Sequence, residues 1–101
     1  MHYVGFAELA AAVSNAGGLG IITGLTQKTP ADLANEIARC KDMTDKPFGV
    51  NVTFLPTVNA PDYPAIIKAI IEGGVPVVET AGNNPSPVLP YLKDAGIKVI
   101  H

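Results

Sequence analysis

Apolar positions along the chain recur at helical spacing in some stretches and as short continuous or alternating runs in others, and the pattern changes at Gly- and Pro-rich breaks. Phe6, Leu9, Ala10 and Val13 predict an amphipathic helix over residues 5–16. Asn15-Ala16-Gly17-Gly18 stops it, because glycine accepts the left-handed conformation that closes helices. Leu19 to Thr23 is a short apolar run of buried-strand character. Thr29-Pro30-Ala31-Asp32 opens a second helix: Thr29 caps, Pro30 suits the first helical position, and Asp32 is placed to reach back to the cap amide. Leu33, Ile37 and Cys40 form its apolar stripe. After Lys46-Pro47, Phe48 to Leu55 is the clearest strand, rich in Val and Phe. A third helix starts at Pro61 or Asp62, buries Ile66, Ile67, Ile70 and Ile71, and ends at Gly73-Gly74. Pro76 to Thr80 is a strand. Ser86-Pro87 starts a fourth helix with Val88, Leu89 and Leu92 inward and Gly96 past its end, and Ile97 to His101 is the last strand.

Helix and strand thus alternate strictly, which implies a parallel sheet with right-handed helical crossovers. A doubly wound sheet and a (β/α) barrel share this rhythm, and the strand at Phe48–Leu55 separates them. Phe48, Val50, Val52 and Phe54 point to one face; Gly49, Asn51, Thr53 and Leu55 point to the other. A doubly wound strand is covered on both faces and tends to be apolar on both. Here one face is small and polar, as in a barrel strand that lines a site. The expected fold is α/β, a partial TIM-type (β/α) barrel. Barrels of this type run to roughly 250 residues, so the chain amounts to about half of one.

At 101 residues, 48% apolar and 16% charged, the chain can build one small domain and is not disordered in character. A formal charge of −2 gives no reason to expect nucleic acid or an anionic membrane as a partner. Cys40 is the sole cysteine, which excludes an internal disulfide and fits a reducing, cytoplasmic setting. No apolar run approaches the ~20 residues that span a bilayer, and no secretory signal is visible. The chain enters a helix almost at once and stops in a strand, so both ends read as cut from something longer.

Candidate chemistry is sparse. Gly17-Gly18-Leu19-Gly20 does not fit a nucleotide loop: it follows a helix and opens a strand, and Gly18, Gly20 and Gly24 have the wrong last spacing. A helix stop with close backbone packing explains it. Asn51 is an amide in the middle of an apolar strand, where an unpaired polar group costs about 1–3 kcal/mol. It is either a structural amide or a ligand contact. Glu79-Thr80-Ala81-Gly82-Asn83-Asn84-Pro85 runs off the C-terminal end of a strand, the catalytic side of a barrel. It reads either as a turn feeding a Ser86 cap or as a loop in which Gly82 admits a close approach. Glu79 inside a strand needs a partner, and Lys98 is the expected one. His2 and His101 lack a third ligand for a metal. Cys40 reads as an inert core thiol. There is no nucleophile, base and orienter set.

Met1 to Gly5, Glu8 to Val13, Asn15-Ala16-Gly17-Gly18-Leu19-Gly20-Ile21-Ile22, Lys46-Pro47-Phe48-Gly49-Val50-Asn51 and Glu79 to Pro85 together resemble the N-terminal part of nitronate monooxygenases, formerly 2-nitropropane dioxygenases. The resemblance covers essentially the whole chain. It extends to the related flavin-dependent enoyl-acyl-carrier-protein reductases. It implies an FMN-binding barrel that oxidises alkyl nitronates with molecular oxygen. Met1 is similar to the methionine after the first strand, whose backbone lies beside the flavin. Asn51 is similar to the strand asparagine that contacts it, and Thr80 and Gly82 fall in the segment beneath the ring. The first strand, the phosphate loops of the last strands and the Gly-His segment with the catalytic histidine have no match. His101 resembles an end-of-strand histidine instead. The resemblance therefore implies a fragment with no catalytic residue of its own, inactive alone. About four strands cannot close a barrel, so its exposed sheet edges make it prone to self-associate. The alternatives are an FMN-dependent enoyl-carrier-protein reductase and a non-catalytic truncated module.

Overall fold

The computed structural model describes residues 3–55 and 62–101. Its elements follow in the order α1 (Ala7–Asn15), β1 (Gly20–Thr23), a 3₁₀ turn (Gly24–Thr26), α2 (Pro30–Met43), β2 (Phe48–Phe54), α3 (Tyr63–Glu72), β3 (Val77–Gly82), α4 (Leu89–Asp94) and β4 (Lys98–Ile100). The strands form one sheet in the order β1-β2-β3-β4, and every pairing is parallel. Crossovers between parallel strands are almost always right-handed. A strand order that never reverses then puts the helices on one face of the sheet, with no switch point of the doubly wound kind. The chain is a partial TIM-type (β/α) barrel.

The covered face follows from the two-residue alternation of each strand. Ile22, Val50, Val52 and Val78 are fully buried and join Leu33, Ile37, Ile66, Ile67, Ile70 and Leu92 in one core. The predicted stripes of α2 and α3 are the buried ones, with Ile71 at their margin. Thr29 Oγ1 accepts from the Asp32 amide at 3.0 Å, and Asp62 caps α3 through the Ala65 amide at 3.2 Å.

The stripe of α1 differs from expectation. Ala7, Ala10, Ala11 and Ser14 face inward, while Leu9 and Val13 are 49% and 40% exposed. Backbone proximity is the reason: a Cβ on Gly20 would stand 1.9 Å from the Ala10 carbonyl oxygen. Only small side chains fit between helix and strand that close together. Gly17, at φ 99°, makes the expected left-handed stop. No side chain of the preceding loop caps α1. Glu36 on α2 does so from a distance in sequence, its Oε2 accepting from the Ala7 amide at 2.7 Å.

The fourth helix also starts later than expected, at Leu89. Asn84 Oδ1 accepts from both the Ser86 amide at 3.0 Å and the Ser86 hydroxyl at 2.6 Å. The serine hydroxyl is therefore engaged in the turn and does not cap the helix.

Candidate flavin site

The other face of the sheet carries Ile21 and Thr23 from β1, Gly49, Asn51 and Thr53 from β2, Val77, Glu79 and Ala81 from β3, and Lys98 and Ile100 from β4. Ile100 is 52% exposed and Lys98 is exposed. Toward the C-terminal ends of β2 and β3 this face turns polar. Asn51 lies directly across the ladder from Glu79. Its Nδ2 donates to Glu79 Oε1 at 2.6 Å, and its Oδ1 accepts from the Thr53 hydroxyl at 2.9 Å. Asn51 is 7% exposed, so these bonds replace hydration that burial has removed.

Glu79 is thus paired, but its partner is Asn51 and not the expected Lys98. Register explains the difference: Lys98 stands opposite Val77, whereas Ile100 stands opposite Glu79. The lysine is one side-chain repeat too low on β4.

Gly82 ends β3 at φ 82°, opposite Phe54. A Cβ there would meet the Phe54 carbonyl oxygen at 2.2 Å, and that oxygen accepts from the Asn83 amide at 2.7 Å. The close approach expected at Gly82 is made by backbone. Phe54 is held in turn by Tyr63, whose ring lies 4.6 Å away by centroid and whose hydroxyl donates to the Thr53 carbonyl at 3.0 Å.

Thr80 points the other way. It pairs with Val52 on the helix-facing side and is 1% exposed. Its hydroxyl lies 2.9 Å from His101 Nδ1, tying the end of β3 to the end of β4. The structure therefore brings Asn51 together with Glu79 and Thr53, and sets the Thr80 side chain behind them. Met1 and His2 lie outside the described residues.

One participant was not legible as such in the sequence: Thr53 gave only its place on the polar face as a signal. Gln27, after the 3₁₀ turn that follows β1, has its Nε2 buried with no hydrogen-bond partner among the described residues. No group of three or more potential metal ligands is found among the described residues. Nor is any described helix long and apolar enough to cross a membrane.

A flavin is planar, with a polar imide edge. Asn51 uses one of its two N–H groups and one of its two acceptor positions, so it retains one of each. That donor set fits a ring edge. The strand ends Thr23–Thr26, Asn51–Leu55 and Glu79–Asn84 carry no lysine or arginine, so they offer no cation for a phosphate.

The nitronate monooxygenase family model matches residues 1–100. A 5-hydroxy-7a-methyl-1-oxo-octahydro-1H-indene-4-carboxyl-CoA dehydrogenase of Mycobacterium tuberculosis is 39% identical over 100 residues, which is 99% of this chain and 27% of the relative. A probable nitronate monooxygenase of Staphylococcus haemolyticus is 49% identical over 51 residues, 50% of this chain and 14% of the relative. FabK from Thermotoga maritima superposes with a TM-score of 0.86 at 43% identity, over 98% of this chain and 30% of FabK. A nitroalkane oxidase from Streptomyces ansochromogenes superposes with a TM-score of 0.80 at 28% identity, over 95% of this chain and 36% of the oxidase.

Proposed function

Because the chain belongs to the nitronate monooxygenase family, we propose that its open sheet face holds the ring of FMN in a cytoplasmic enzyme that oxidises alkyl nitronates with molecular oxygen. The chain spans 27% and 30% of two of the relatives it matches. The site is accordingly one to which this chain contributes a wall. When bound, FMN would supply the redox chemistry that couples nitronate oxidation to oxygen.

The observation that carries this reading is the half-used amide of Asn51 on the open face, at the end of the sheet where barrel enzymes do their chemistry. Asn51 bonds the ring edge. Gly82 lets the end of β3 close onto the Phe54 backbone, and the ring would lie on the face that these strand ends form. Thr80 takes part through its backbone, since its hydroxyl engages His101. Met1, which the resemblance sets beside the flavin, lies outside the described residues. No residue of this chain is assigned as the base, because no Gly-His segment of the family type is present in it. The chain alone is inactive and self-associates through β1 and β4, the strands at the two ends of its sheet. Light scattering tests this: a monodisperse monomer with a steep urea transition contradicts it.

A second reading shares the flavin and changes the substrate. A dehydrogenase named for a carboxyl-CoA matches 99% of the chain, whereas the probable nitronate monooxygenase matches half of it. This favours a thioester substrate, as in an FMN-dependent enoyl-acyl-carrier-protein reductase. The two separate by assay of the chain joined to the remaining strands of a barrel. Oxygen uptake with an alkyl nitronate supports the first; oxidation of a reduced nicotinamide that requires an enoyl thioester supports the second. A colourless preparation with no flavin absorbance contradicts both and leaves a non-catalytic module.

A further inference from the structure

Asn51 can sit in its place in two orientations, related by exchange of its amide oxygen and nitrogen. Its neighbours are unequal in the choice they impose. The Thr53 hydroxyl both donates and accepts, so it can satisfy either orientation. A carboxylate only accepts. Glu79 therefore admits only the orientation that turns Nδ2 toward its Oε1, the 2.6 Å bond that is present. Thr53 follows, donating to Oδ1 at 2.9 Å. Glu79 is itself held directly opposite by the β2–β3 register.

We infer that Glu79 is a positioning residue that sets the orientation of the Asn51 amide, so that the donor and acceptor left on Asn51 meet a ligand in one order and not its reverse. A ligand with a cyclic imide edge, in which N–H and C=O groups alternate in a fixed order, is the class this selects. The ligand half rests on the flavin reading above. The orientation itself is a property of the chain alone.

The experiment uses the chain joined to the remaining strands of a barrel and labelled with ¹⁵N, and compares wild type, E79Q and T53V. Glutamine keeps the shape of Glu79 and can both donate and accept, so it removes the directional demand without leaving a hole. In wild type, the two side-chain amide protons of Asn51 are expected to be widely separated, one of them shifted by a charge-assisted bond. In E79Q the separation shrinks toward that of an exposed asparagine. In T53V it persists. Adding FMN is expected to shift the Asn51 signals in wild type and T53V, and about tenfold more FMN is needed in E79Q. The urea midpoint, measured alongside, is expected to stay close to wild type in E79Q.

Identical Asn51 signals in wild type and E79Q overturn the inference, whatever flavin does. Signals that change as expected, with FMN affinity equal in the two proteins, overturn the ligand-facing half and leave the flavin reading standing. Wild-type Asn51 signals that depend on Glu79 but ignore FMN contradict the flavin reading and the ligand half together, while the orienting role stands.

Discussion

The two faces of the sheet are built from alternate residues of the same strands and do different work. On one, Ile22, Val50, Val52 and Val78 are sealed under helices and contribute apolar burial. On the other, Asn51, Thr53 and Glu79 satisfy one another at the C-terminal end and keep hydrogen-bonding capacity in reserve. A one-residue slip would exchange the two sets entirely. Burial and the polar cluster can therefore be changed separately, because neighbours in sequence sit on opposite sides of the sheet.

The largest effect is expected where the covered face is cut. Ile22→Ala should cost about 2–5 kcal/mol, the range for a truncated buried isoleucine. Ile21→Ala, one residue away on the open face, should cost much less. Urea unfolding of both variants checks this, and equal losses would break the distinction between the faces. Gly82→Ala comes next. It forces a side chain into a left-handed position and against the Phe54 carbonyl, at a cost of about 1–3 kcal/mol. A crystal structure should show the ends of β2 and β3 parted, and an unchanged melting point would contradict the packing described. Thr29→Ala, far from either face, should remove about 1 kcal/mol by loss of the α2 cap.

The smallest effect concerns Cys40. Burial pushes its thiol up from an ordinary 9.0 to about 11, with Glu36 adding to the rise. The folded state therefore favours the neutral thiol. That contribution is complete below pH 9.0 and is lost as pH climbs through about 11. Iodoacetamide at neutral pH should label the unfolded chain much faster than the folded one. Equal rates would place Cys40 outside the core.

Most of the fold was legible because it depends on periodicity and caps. The apolar stripes of α2 and α3, the Thr29 cap and the alternation in β2 all act locally. The facing residues of α1 were not, because Gly20 and Ala10 meet through tertiary packing that spacing cannot express. The start of α4 was misplaced because Asn84 competes for the Ser86 hydroxyl. In the site, the need of Asn51 for partners was readable from an amide in an apolar strand. The identity of its partner was not, since Glu79 or Lys98 at that position depends on strand register.

Flavin binding by the open face through Asn51, as proposed, rests on a single amide. Its most direct test is FMN affinity by fluorescence quenching for Asn51→Ala against the parent, in the chain joined to the remaining strands of a barrel, with the urea midpoint measured on the same samples. Binding is expected to weaken by on the order of 1 kcal/mol for a neutral bond, with the midpoint little changed and Thr53→Val affecting binding less. A lowered midpoint with unchanged FMN affinity and nitronate turnover would make Asn51 a structural amide and contradict the claim.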